Sequence, residues 1–227
     1  MKREIITTND GSKTIQLPEW NAQYHSIHGA VQEAQHVFLA MGLFHYLEQH
    51  QVTKESPIQL LEIGFGTGLN AFLTLLETIH KEIAIHYTGI EAFPVAYEEA
   101  IQMDYPLHIG MKEQLPSFNQ LHSTPWEEKT KITTQFTLTK RKQSFETITD
   151  VASYDLIYFD AFGARVQPEL WTETIFQKMY TALQPKGILV TYAAKGSVRR
   201  AMQAVGFTVE RLPGPPGKRE MLRATKA

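Results

Sequence analysis

The sequence predicts an α/β protein with a doubly wound, mostly parallel sheet, and three observations predict it. From Ser56 onward, apolar runs of strand length alternate with helix-length amphipathic segments. The first of these runs ends in a turn with glycine at alternate positions, Gly64, Gly66 and Gly68, and a helix-compatible segment follows at once. Two later runs end in single acids, Glu91 and Asp160.

Residues 4–17 read as a hairpin about the turn residues Asn9, Asp10, Gly11 and Ser12, ended by Pro18. An amphipathic helix comes after the string YHSIHGA, with Val31, Ala34, Val37, Phe38, Met41 and Leu43 at roughly helical spacing. Residues 1–50 thus form a hairpin-and-helix extension to a domain over 51–227. In that domain, strands are expected over 58–63, 84–90, 132–139, 154–159, 187–192, 207–211 and 220–224. Helices are expected over 69–79, from Pro94, over 169–183 and over 197–205, because proline is tolerated in a first helical turn and Gly206 supplies a stop. Residues 103–129, broken by Pro106, Pro116 and Pro125, carry little periodicity.

Glycine is needed where a ligand lies against the backbone, since without a Cβ the chain turns tightly and takes positive φ at little cost. Two cofactor classes use such a loop after a first parallel strand, the dinucleotides and S-adenosylmethionine. The dinucleotide fingerprint G-x-G-x-x-G requires a glycine where this chain has Leu69, so the pattern here is G-x-G-x-G. Glu91 is placed to accept hydrogen bonds from ribose hydroxyls, which either cofactor carries. Ligands of open parallel sheets sit beyond the carboxyl ends of the strands, so the glycine turn, Glu91 and Asp160 converge on one crevice. An acid at a strand end also serves as a helix cap or a support for the fold.

The chain has 227 residues, 43% of them hydrophobic, enough for one domain with a substantial core. The absence of cysteine excludes disulfides, thiolate metal sites and a cysteine nucleophile, and makes the cytoplasm the expected location. His25 and His28 lack a third ligand at metal-site spacing, so no metal is expected. No apolar run reaches the roughly 18 residues of a membrane span, and the polar start MKREIITTNDG is unlike a signal peptide. A net charge of −2 argues against binding nucleic acid through bulk charge, yet residues 195–227 carry +6 and the remainder −8.

The strings DGS (10–12), YHSIHGA (24–30), EIGFGTGLN (62–70), IEAFP (90–94), YFDAFGARVQPELW (158–171), ILVTYAAKGSVRR (188–200) and GPPGKREML (214–222) resemble the methyltransferase domain of the tRNA wobble-uridine enzyme MnmC. The resemblance runs from about residue 7 to residue 223 and implies a class I, Rossmann-like fold with S-adenosylmethionine as cofactor. It implies N-methylation of 5-aminomethyl-2-thiouridine at the tRNA wobble position, giving 5-methylaminomethyl-2-thiouridine, with the tRNA anticodon loop as partner. No protein partner is evident. The flavin-dependent oxidase domain of bifunctional members has no counterpart here, so the chain resembles a stand-alone version. Carried over by position, Glu62 with Gly64, Gly66 and Gly68 would hold the methionine part of the cofactor, Asn70 would cap the following helix beside it, and Glu91 would bind the ribose. The acid that many methyltransferases present to the adenine amine is missing from residues 138–145, which offer Gln143 and Ser144.

Methyl transfer from a sulfonium requires an aligned lone pair. A primary amine with a pKa of about 10.4 is mostly protonated at neutral pH, so the site must accept a proton or select the neutral form. Asp160 is expected to orient the amine and take its proton, with Tyr24 as a hydrogen-bonding partner. Lys195, Arg199, Arg200, Lys218 and Arg219 are expected on tRNA phosphates, and Phe162, Trp171 or Tyr192 against the exposed base. Two other readings stand beside this one: a methyltransferase acting on a small amine or a different RNA, and a degenerate fold serving as an RNA-binding module.

Overall fold

The computed structural model describes residues 2–53 and 55–227. Strands β1 (Glu4–Thr7), β2 (Lys13–Leu17) and β3 (Ala22–Gln23) pair as a small antiparallel sheet. Asp10 fixes its first turn, because Oδ1 accepts from the Ser12 N–H at 3.0 Å and from the Thr8 hydroxyl at 2.7 Å. Helix α1 covers residues 30–49 and is π-wound over Gln35–Phe44. Gly42 lets it lie close on the main sheet: a Cβ there would stand 2.9 Å from Val190 Cγ2.

The longer remaining elements, leaving aside short helical turns, are β4 (Ile58–Ile63), α2 (Leu69–Lys81), β5 (Ile85–Ile90), α3 (Leu115–Ser123), β6 (Lys129–Lys131), β7 (Phe136–Arg141), β8 (Tyr154–Phe159), α4 (Glu173–Ala182), β9 (Leu183–Thr191), α5 (Gly196–Ala204), β10 (Thr208–Pro213) and β11 (Glu220–Thr225). They build an eight-stranded sheet in the order β10-β11-β9-β8-β4-β5-β7-β6. Strands β7, β5, β4, β8 and β9 are parallel, β11 runs antiparallel between β9 and β10, and β6 is antiparallel to β7. This is the predicted class I, Rossmann-like architecture. From β4 the chain winds first to β5 and β7 and later back to β8 and β9, so the crevice opens at the carboxyl ends of β4 and β8.

Helices cover both faces, which is why β4 and β8 are nearly continuous apolar runs. One core packs Phe38, Phe72, Tyr87, Phe118 and Tyr158 between the sheet and helices α1 to α3. The other packs Phe159, Phe176, Met179 and Met202 against α4 and α5. Each such side chain contributes about 1.5–3 kcal/mol. Ile15 and Leu17 of β2 enter the first core, so the N-terminal extension packs into the main sheet's own core.

Several expected boundaries move. The strand expected at 132 begins at Phe136, because the Thr133 hydroxyl accepts from the N–H groups of Gln135 and Phe136 and closes a turn. The helix expected from Pro94 starts at Tyr97, where the Glu99 carboxylate accepts from the Ala96 N–H at 3.4 Å. The helix expected over 169–183 is split by Thr172, whose extended backbone separates a short turn, Pro168–Trp171, from α4. Residues 103–129 contain α3, with Pro116 in its first turn.

Candidate active site

The glycine turn after β4 takes positive φ at Gly64 (92°), Gly66 (48°) and Gly68 (71°), the conformation that favours glycine. Side chains are excluded there for steric reasons as well. A Cβ on Gly64 would stand 2.7 Å from the Asp160 carbonyl oxygen, and one on Gly66 would stand 2.9 Å from Tyr24 Cδ1. The turn therefore touches the end of β8 on one side and the N-terminal extension on the other. Glu91 shapes it from the carboxyl end of β5: Oε2 accepts from the Gly66 N–H at 3.1 Å and Oε1 from the Phe93 N–H at 3.0 Å. Arg3 of the extension reaches the same loop, donating to Glu99 Oε2 at 2.9 Å and to the Phe93 carbonyl at 3.1 Å.

Three polar side chains meet at the bottom of the crevice. The Asn70 amide donates to Glu62 Oε1 at 2.9 Å and to Asp160 Oδ2 at 2.8 Å. This corrects the expected capping role: the N-cap of α2 is Gly68, no side chain caps it, and Asn70 joins two buried carboxylates. Side chains on a helix tilt toward its N-terminus, so from the second position of α2 the Asn70 amide is directed at the strand ends. Burial pushes the Asp160 carboxyl up to about 7, with the Glu33 charge adding to the rise and the Asn70 hydrogen bond and Lys218 opposing it. Burial together with the Asp160 charge holds Glu62 well above the usual carboxylate range. Asp160 Oδ1 accepts no hydrogen bond among the described residues, and neither does Glu62 Oε2, which is buried.

Tyr24 and His25 complete this side. Burial pushes the Tyr24 phenol up to about 12, which keeps it a neutral donor. His25 Nδ1 lies 4.0 Å from Asp160 Oδ2, and its Nε2 shares a 2.8 Å hydrogen bond with Thr67 Oγ1, itself 2.9 Å from the Tyr105 hydroxyl. Burial lowers His25 to about 4, so it is neutral at physiological pH. Sequence reasoning weighed His25 only as a metal ligand and missed this chain. Among the described residues no group of three His, Cys, Asp or Glu side chains is arranged to hold a metal ion.

The basic set divides. Lys195, Arg200 and Arg219 are exposed and Arg199 is partly so. Lys218 does not belong with them: its ammonium pairs with the buried Glu33 and lies 3.9 Å above the Tyr192 ring, whose hydroxyl donates to the Ala161 carbonyl at 2.8 Å. The expected phosphate contact at Lys218 is therefore replaced by a tie between the β10–β11 loop and α1. Lys218→Met strands the Glu33 charge, and an unfolding titration should show a loss of about 1–3 kcal/mol, largely restored by adding Glu33→Gln. An equal cost for the single and double variants would sink this account. Of the expected stacking residues, only Phe162 lines the crevice; Trp171 is buried with its indole N–H on the Phe162 carbonyl, and Tyr192 lies beneath Lys218.

The crevice encloses about 960 Å³. Gly64, Gly66, Glu91, Ser144 and Glu146 line it together with Tyr24, His25, Asp160 and Phe162. Comparison with known proteins fits this shape. A family model described as S-adenosyl-L-methionine-dependent methyltransferase matches residues 110–227, just over half of the chain. The chain belongs to that family.

Beyond the family, this methyltransferase is 30% identical over 235 residues to the tRNA 5-methylaminomethyl-2-thiouridine biosynthesis bifunctional protein MnmC of Cupriavidus metallidurans, covering 96% of the chain and 33% of that protein. It spans about a third of the length of the curated relatives it matches. Among solved structures, MnmC2 from Aquifex aeolicus superposes over 100% of this chain and 70% of its own with a TM-score of 0.73 at 23% identity. Spermidine synthase from Thermotoga maritima superposes over 99% and 69% with a TM-score of 0.55 at 14% identity. At these identities the two structures speak to the fold.

The methyltransferase has the features its cofactor needs. Gly64 and Gly66 bring the backbone of the turn to the crevice without side chains, and the buried Glu62 Oε2 at the end of β4 is a polar atom without a hydrogen-bond partner among the described residues. Glu146, one residue beyond the stretch 138–145 that lacks an acid, lines the crevice and accepts from the Ser144 hydroxyl at 2.5 Å.

Proposed function

We propose that this chain methylates the exocyclic amine of 5-aminomethyl-2-thiouridine, or its 2-oxo counterpart, at the wobble position of tRNA, using S-adenosylmethionine. The observation that carries the reading is Asp160, a nearly buried acid held by Asn70 at the switch point of the sheet and lining the same crevice as the glycine turn. The similarity to tRNA 5-methylaminomethyl-2-thiouridine biosynthesis bifunctional proteins supports this choice of substrate. In this reading residues 51–227 are the methyltransferase domain and residues 1–50 the extension that walls the acceptor side. The cytoplasm is the location that fits a tRNA substrate.

Glu62, Gly64, Gly66, Gly68 and Asn70 hold the methionine part of the cofactor, Glu91 the ribose hydroxyls, and Glu146 with Ser144 the adenine edge. Bound there, S-adenosylmethionine supplies an electrophilic methyl group on a sulfonium. Asp160 at about 7 is divided between its two forms at neutral pH, and its ionised form binds the substrate ammonium and takes the proton that frees the lone pair. Asn70 fixes Asp160 through Oδ2, which leaves Oδ1 for the amine. Tyr24 donates a hydrogen bond as a neutral phenol, and neutral His25 lines the pocket without adding charge.

The anticodon loop of tRNA is the partner, with Lys195, Arg199, Arg200 and Arg219 on its phosphates. Reversing Lys195, Arg199 and Arg200 to Glu together should raise KM for tRNA at least about tenfold and flatten its salt dependence, with cofactor affinity unchanged. An unaltered salt slope would remove these residues from the interface. The deciding experiment is transfer of labelled methyl to tRNA carrying 5-aminomethyl-2-thiouridine beside the unmodified transcript. Label on the modified tRNA alone supports the reading, and label on neither, with cofactor bound, rejects it.

A further inference from the structure

We infer that Trp20, Phe162 and Gln167 form a subsite for a single pyrimidine base, in which the Gln167 amide reads the edge carrying N3 and the C4 oxygen; this rests on the wobble-uridine reading above. The order of side chains along the crevice carries the inference. The Tyr24 ring, seated against the glycine turn, meets Phe162 edge-on at 5.0 Å, and Phe162 meets Trp20 edge-on at 5.8 Å. All three are partly exposed and line the crevice, so an apolar wall leads outward from the reacting end. Gln167 belongs to the loop that carries Phe162. Its N–H donates to the Gly163 carbonyl at 3.1 Å, and the Trp171 indole N–H donates to the Phe162 carbonyl at 2.7 Å, which pins that loop beside Asp160. The Gln167 side chain lines the crevice, and its amide makes no hydrogen bond among the described residues.

Base chemistry fits this arrangement. A C5 substituent is adjacent on the ring to the C4 carbonyl. With the C5 aminomethyl nitrogen at Asp160, the C4 oxygen and the N3–H must face groups a short way along the same wall. A primary amide offers one donor for the C4 oxygen and one acceptor for the N3–H. Stacking on aromatic rings tolerates any base, so in this subsite the amide supplies the selectivity.

The test compares an anticodon stem-loop RNA carrying 5-aminomethyluridine at the wobble position with the same RNA methylated at N3. In the wild type, N3-methylation should lower kcat/KM about 10- to 100-fold, the range of a lost bidentate base contact. Gln167→Ala should lose a similar factor on the unblocked RNA and then respond to N3-methylation by less than about threefold, with cofactor affinity retained. Gln167→Glu, nearly the same shape but without the donor, should show the same loss and guards against a folding defect. An equal methylation penalty in wild type and variant overturns the subsite while leaving the wobble-uridine reading intact. If the wild type binds cofactor but methylates neither RNA, that reading fails and the subsite falls with it.

Discussion

Asp160→Asn is expected to lower kcat by about 10²- to 10⁴-fold, the range of a lost general base, while making the protein more stable at neutral pH. The two effects share one cause. The carboxyl is raised from its ordinary value of 3.8 to about 7 by burial, so the folded protein holds that proton at pH values where the unfolded chain has released it. Stability from this group is therefore fully present below about pH 4 and lost as pH rises toward 7, the opposite of an ordinary paired carboxylate. An uncharged amide removes that loss, and denaturation at pH 8 should show a gain of at most about 4 kcal/mol, vanishing near pH 4. In the wild type kcat should rise with pH through about 7, and the variant should lack that limb. A variant that is both inactive and less stable would mean that Asp160 serves the fold.

Gly64→Ala should have the opposite signature, with stability and cofactor binding lost together. At φ of 92° an alanine is strained, and its Cβ would meet the Asp160 carbonyl oxygen at 2.7 Å and its carbon at 3.2 Å, both backbone atoms that cannot rotate away. The ends of β4 and β8 must part. The expected cost is about 2–4 kcal/mol by chemical denaturation, with cofactor affinity reduced about 10- to 100-fold by calorimetry. Gly110→Ala is the control, since Gly110 has a φ of 73° but nothing within 4 Å of the added atom, and it should cost no more than about 1–2 kcal/mol. Equal costs at both positions would show that backbone strain alone, and not the close approach of two strands, makes glycine necessary at Gly64.

The sheet was legible because its strands are local and strongly patterned: β4, at residues 58–63, and β8, at residues 154–159, fall where expected, and so do the glycine turn and the two acids that end strands. Boundaries set by side-chain hydrogen bonds were less so. Thr133 closing a turn and Thr172 splitting a helix act through geometry that hydropathy does not record. Within the site, Glu62, Asn70 and Asp160 were named from sequence, but their union was not, because Asn70 contacts partners 8 and 90 residues away. Sequence alone groups Lys218 with the surface cations because the buried Glu33 that claims it lies 185 residues earlier in the chain. Gln167 lies in one of the strings that carry the resemblance but, like Trp20, has no residue-level signal of a site role; the meaning of both comes from lining one crevice with Tyr24 and Phe162.

Arg3 has a consequence for the order of events in turnover. It immediately precedes the first strand of the extension, yet its guanidinium grips the segment that follows Glu91, so the extension is fastened to the β5 side of the crevice. In the function proposed above, free energy that the cofactor gains by settling that segment is expected to be felt by the wall proposed to receive the base, and by thermodynamic reciprocity the base would return it in equal measure. If the proposed function holds, a donor and an acceptor that tighten each other favour the ternary complex over either binary one, and the cofactor-loaded protein is expected to bind the RNA more tightly than the free protein.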